Sequence, residues 1–98
     1  MESGLSQREL DLIRGVLLRH PEVTGALLFG SRAKGESSPE SDIDLALLGI
    51  SDPLQAEAIA SELDELPLPY RFDVKAYEAI QNAPLREHIR RVGVKIHG

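Results

Sequence analysis

Apolar residues recur along this chain with two different periods. Between residues 6 and 20 the spacing is helical, with Leu10, Ile13, Val16 and Leu17 on one stripe. Ser6 is placed to cap that helix, Glu9 to return the bond three residues on, and Leu5 to staple against Leu10. Pro21 cannot continue a helix, so the element is expected from about Ser6 to His20. "VTGALLFG" then runs apolar without a break and ends in glycine, the pattern of a strand covered on both faces.

A short helical turn is expected over Ser31 to Gly35, and "GESSPES" has the polar, Gly- and Pro-bearing character of a loop. "DIDLALLGI" reads as the second strand. Asp52 as cap and Pro53 at the first helical position open a second helix, which Pro67 stops. In "YRFDVKAY" the period becomes two: Phe72 and Val74 alternate with Arg71, Asp73 and Lys75, as in a strand with one polar face. Beyond it the pattern predicts a turn, a helix around Leu85 to Arg91 ended by Gly93, and a brief edge strand at Val94 to Ile96. The order of elements indicates an α/β (α+β) chain: a small mixed sheet of three or four strands with helices packed on one side.

Composition narrows the functional classes. The 98 residues have room for one domain with a modest core, so 1–98 is read as a single domain without a separate acceptor-binding module. Without cysteine there is neither a disulfide nor a thiolate metal site. The polar start and the lack of any long apolar run give no signal peptide and no membrane span, and the expected location is cytoplasmic. A net charge of -5 disfavours direct binding of long nucleic acids, whose affinity comes from Lys and Arg meeting phosphates. His20, His88 and His97 have no ligand spacing and are read as surface or capping residues.

The chemistry is concentrated in "FGSRAKGESSPESDIDLAL". Asp42 and Asp44 are two apart on a predicted strand, so their carboxylates leave the same face. Two such carboxylates repel unless a cation lies between them, and hard oxygen ligands favour Mg²⁺ or Mn²⁺, commonly shared with substrate phosphates. Asp73, on the next strand, is the candidate third carboxylate. Gly30 and Ser31 close the first strand where free backbone N–H groups favour an anion, and Arg32 and Lys34 add positive charge beside it.

Together these residues resemble the minimal nucleotidyltransferases of the DNA polymerase beta superfamily, whose signature is Gly-Ser, a ten-residue spacer and Asp-x-Asp; "FDV" matches the strand of the third aspartate. The resemblance implies that Gly30 and Ser31 bind the phosphates of ATP. It also implies that Asp42 and Asp44 hold two metal ions, and that Asp73 contributes to one of them and helps activate the acceptor hydroxyl. It further implies a partner, a HEPN-domain toxin encoded alongside, which such transferases silence as antitoxins by moving AMP onto a tyrosine. Two alternatives stand beside this: a catalytically silent antitoxin that acts by binding, and a nucleotide-sensing module.

Overall fold

The computed structural model describes residues 5–29 and 42–98. The expected helical turn at 31–35 and the loop at 35–41 lie outside them. The first helix, α1, spans Gln7–Leu18 and begins as its sequence dictates. The Glu9 amide donates to Ser6 Oγ at 3.2 Å, and the Ser6 amide donates to Glu9 Oε1 at 2.9 Å, so both ends of the capping box are closed.

Strands β1 (Gly25–Phe29) and β2 (Ile43–Leu48) pair antiparallel, with Gly25 opposite Leu48 and Phe29 opposite Asp44. The next helix, α2 (Pro53–Asp64), is capped by Asp52, which accepts from the Leu54 amide at 2.9 Å. It carries the chain over the sheet to β3 (Phe72–Ala76), which lies parallel to β2. A 3-10 turn at Tyr77–Ala79 leads to α3 (Ala83–Val92) and then to β4 (Val94–His97), the predicted edge strand, antiparallel to β1. Among the described residues the sheet has four strands in the order β3-β2-β1-β4.

Strand alternation divides the apolar side chains between two layers. Ala26 and Leu28 of β1, Ile43, Leu45 and Leu47 of β2, and Phe72 and Ala76 of β3 join Ile13, Val16 and Leu17 of α1 and Ala56, Ile59 and Leu63 of α2 in the main core. Each fully buried leucine or isoleucine there contributes on the order of 2 kcal/mol relative to exposure. The two long helices thus pack on one side, as expected. The shorter α3 meets the other side, where Ile89 packs with Phe29 and Ala46, flanked by Leu27, Tyr77, Ile80 and Leu85. β1 is therefore covered on both faces, in keeping with its unbroken apolar run.

Two contacts tie the helices down over long sequence separations. His20 Nε2 donates to the Glu62 carboxylate, 3.1 Å from each oxygen, and so clasps the end of α1 to α2. Its place differs from the surface or capping role expected of a histidine without ligand spacing, because its partner lies 42 residues away in the sequence. Arg14 Nε donates to the Ile96 carbonyl and holds β4 beneath α1.

β2 is followed by Gly49, whose φ of +96° is a left-handed conformation that side chains disfavour. A Cβ at that position would lie 2.5 Å from the Glu22 carbonyl oxygen and 2.9 Å from the Thr24 amide nitrogen. Gly49→Ala is expected to cost about 2 kcal/mol or more, read as a lower midpoint in urea unfolding with an unchanged slope. An unaltered midpoint would show that the turn relaxes freely.

Candidate active site

Each acidic candidate is placed by a strand whose reverse face is in the core. In β2, Ile43, Leu45 and Leu47 point into the main core, so Asp44 between them points to the opposite face, which it shares with Ala46 and α3. In β3, Phe72 and Ala76 are buried in the main core, which turns Asp73 and Lys75 to the Asp44 side. The parallel register makes Asp44 and Asp73 direct lateral partners. Asp42, exposed, directly precedes β2 and has the parity of Asp44. The aspartates expected from the sequence to converge are therefore brought to one end and one face of the sheet.

β1 ends at Phe29, opposite Asp44, so the chain leaves β1 and re-enters β2 at this same end. Gly30, Ser31, Arg32 and Lys34, the predicted phosphate-binding group, lie outside the described residues.

Electrostatics at this end is dominated by like charge. The carboxyl of half-buried Asp44 is held above its ordinary value, first by removal from water, then by the carboxylates of Asp73 and Asp42. The Lys75 ammonium opposes this, and its Nζ lies 3.6 Å from Asp73 Oδ1. Among the described residues no three His, Cys, Asp or Glu side chains are gathered into a ready-made metal cage; the assembled part is the Asp44 and Asp73 pair, flanked by Asp42. This donor set suits a hard divalent cation. It offers only carboxylate oxygens, and the repulsion from Asp73 and Asp42 that adds to the burial of Asp44 is what a bound cation relieves.

One residue beside the acids carried no clear sequence signal, and two tyrosines pack elsewhere. Lys75 is visible in the sequence as one more polar residue on the Asp73 face of an alternating strand, and its relation to Asp44 depends on strand register. Tyr77 packs under α3, with the Arg86 guanidinium 5.2 Å from its ring centre, and donates to the Arg86 carbonyl at 3.4 Å. Tyr70 donates to Glu9 Oε2 at 3.0 Å and packs on the main core. Both tyrosines pack against the core layers.

Three comparisons place this geometry among known proteins. A family model described as "Polymerase beta, Nucleotidyltransferase" matches residues 11–98. A Haemophilus influenzae protein named "Probable protein adenylyltransferase MntA" is 31% identical over 94 residues, covering 94% of this chain and 82% of that protein. Among solved structures, a toxin–antitoxin with AMP-PNP superposes with a TM-score of 0.75 at 22% identity, over 96% of this chain and 74% of that one. A Shewanella oneidensis MNT antitoxin, in complex with a tri-AMPylated HEPN toxin, superposes with a TM-score of 0.73 at 22% identity, over 96% of this chain and 73% of that one.

The raised Asp44 carboxyl has a consequence for stability. The folded chain favours the protonated acid, so ionisation weakens the fold as pH rises from the ordinary value of 3.8 through the raised one. The cost is complete at neutral pH and absent well below pH 3.8. In EDTA, Asp44→Asn is therefore expected to unfold at a higher temperature than the parent at pH 7 and at the same temperature near pH 3. A variant less stable than the parent at pH 7 would contradict the crowding of these carboxylates.

Proposed function

This chain belongs to the polymerase beta nucleotidyltransferase family, and from that premise we propose that it moves AMP from ATP onto a hydroxyl of a partner protein. The partner in this reading is a HEPN-type toxin, the acceptor a tyrosine, and the chain the antitoxin of the pair, acting as a single domain in the cytoplasm. The observation that carries the proposal is the lateral pairing of Asp44 with Asp73, flanked by Asp42, in a chain aligned over 94% of its length with a protein named an adenylyltransferase. The Shewanella oneidensis complex, an MNT antitoxin with a tri-AMPylated HEPN toxin, is an instance of the arrangement proposed. Among the described residues no helix is long and apolar enough to cross a membrane.

The division of labour follows from the residue chemistry. Gly30 allows phosphate to approach the backbone, the Ser31 hydroxyl donates to it, and Arg32 and Lys34 balance the triphosphate charge. Asp42, Asp44 and Asp73 would hold two Mg²⁺ ions, or Mn²⁺ in their place, which neutralise charge developing at the α-phosphate and orient the acceptor oxygen. Asp73, the more exposed of the lateral pair, is the one open to the acceptor and takes up its hydroxyl proton. The acceptor oxygen forms its bond to the α-phosphorus as the bond to the pyrophosphate oxygen breaks. Pyrophosphate leaves with the electron pair, and AMP stays on the partner.

The test is to incubate the chain with ATP, Mg²⁺ and a co-encoded HEPN protein, then to follow intact mass, pyrophosphate release and ribonuclease activity. The partner is expected to gain one or more AMP units and lose its ribonuclease activity. Asp44→Asn should bind the partner yet transfer AMP about 10²-fold more slowly or worse. Ser31→Ala, losing a hydrogen bond to a charged group of roughly 1.5 to 3 kcal/mol, should weaken use of ATP by about tenfold or more. A partner inhibited without modification by both parent and Asp44→Asn would replace catalysis with inhibition by binding. ATP binding without pyrophosphate release would indicate a sensing module.

A further inference from the structure

Lys75 stands two positions after Asp73 on β3 and so shares its face. Its lateral partner on β2 is Ala46, a buried residue that packs with Ile89 of α3. The lysine stem does not run outward into solvent from there. It returns along the strand and sets Nζ 3.6 Å from Asp73 Oδ1, where its charge also acts on Asp44. Among the described residues, Lys75 is the basic side chain whose ion pair with one of the three aspartates is seen.

An ion pair between two half-exposed side chains is worth little, and holding a four-carbon stem in place costs rotamer entropy. The arrangement becomes favourable where one ammonium meets several carboxylates that repel one another, as Asp42, Asp44 and Asp73 do. Among the described residues, the negative charge of such a site is opposed by Lys75 when no divalent cation is bound. The nearest way to offset it is a cation already carried by the chain.

We propose that Lys75 is a tethered counter-cation, whose ammonium shields Asp73 and Asp44 while the site holds no divalent cation and is displaced when one binds. The inference rests on the metal-binding reading of the aspartates given above. Metal affinity is then set by competition: an incoming ion must replace a cation that is always present at high effective concentration. Strong binding is reserved for ions that gain more from direct carboxylate ligation than the ammonium does, which favours compact divalent cations over monovalent ones.

The test titrates Mn²⁺ into the purified chain without ATP or partner, following the free-ion signal by electron paramagnetic resonance, with thermal unfolding measured in EDTA and in excess Mn²⁺. Lys75→Met, which keeps the stem and removes the charge, is expected to bind Mn²⁺ about fivefold more tightly than the parent. It should unfold at a lower temperature in EDTA, a deficit that saturating Mn²⁺ removes. Lys75→Arg, which keeps the charge, should return both readings toward the parent. Equal or weaker Mn²⁺ affinity in a Lys75→Met protein that unfolds cooperatively overturns the inference. If Asp44→Asn abolishes Mn²⁺ binding and AMP transfer proceeds, such a result overturns the role of Lys75 alone. Absence of Mn²⁺ binding in parent and variants alike, together with absence of transfer, overturns the metal reading and this inference with it.

Discussion

The structure depends on holding carboxylates side by side against their mutual repulsion. Asp44 and Asp73 are lateral neighbours on parallel strands, an arrangement that like charges oppose. What fixes them there is on the other side of the sheet. Ile43 and Leu45 on either side of Asp44, and Phe72 beside Asp73, are buried against the main core. Slipping either strand by one residue would relieve the repulsion only by turning these side chains to the opposite face, and each costs more to expose than the charges cost to crowd. The core thus sets the geometry of the site, and the site takes back some of the stability that the core provides.

Much of this was legible in the sequence because it is local. Ser6 and Glu9 announce the first capping box, Asp52 and Pro53 the start of α2, and the two-residue spacing of Asp42 and Asp44 their common face. The alternation around Asp73 likewise marked β3 as a strand with one polar face. The start of α3 also has a local signal, in Asn82 and Pro84. Asn82 accepts from the Leu85 amide at 3.0 Å with Pro84 in the first turn, so the helix begins at Ala83, earlier than its apolar residues suggest.

Other features could not be read locally, because each joins residues whose proximity is decided by the whole fold. His20 meets Glu62 only after α1 and α2 have packed together. The reversal that puts α3 on the opposite face from α1 and α2 is recorded in the parity of Phe29 and Ala46, residues indistinguishable in type from their core-facing neighbours. The influence of Lys75 on Asp44 arises only through the pairing of β3 with β2. Periodicity reports which residues share a face of one element. It does not report which element will cover that face.

The strand order has a consequence for how the sheet comes together. The unit formed by β2, α2 and β3 is contiguous in sequence, so both lateral aspartates come from one local unit. β1 receives its second neighbour only when β4 arrives, since Ala26 pairs with His97 across most of the chain. Until then the main-chain donors and acceptors on that side of β1 face water, flanked by some of the most apolar side chains of the protein. The acidic end thus belongs to a local unit, while the open edge of β1 is closed to unwanted pairing only by a strand distant in sequence.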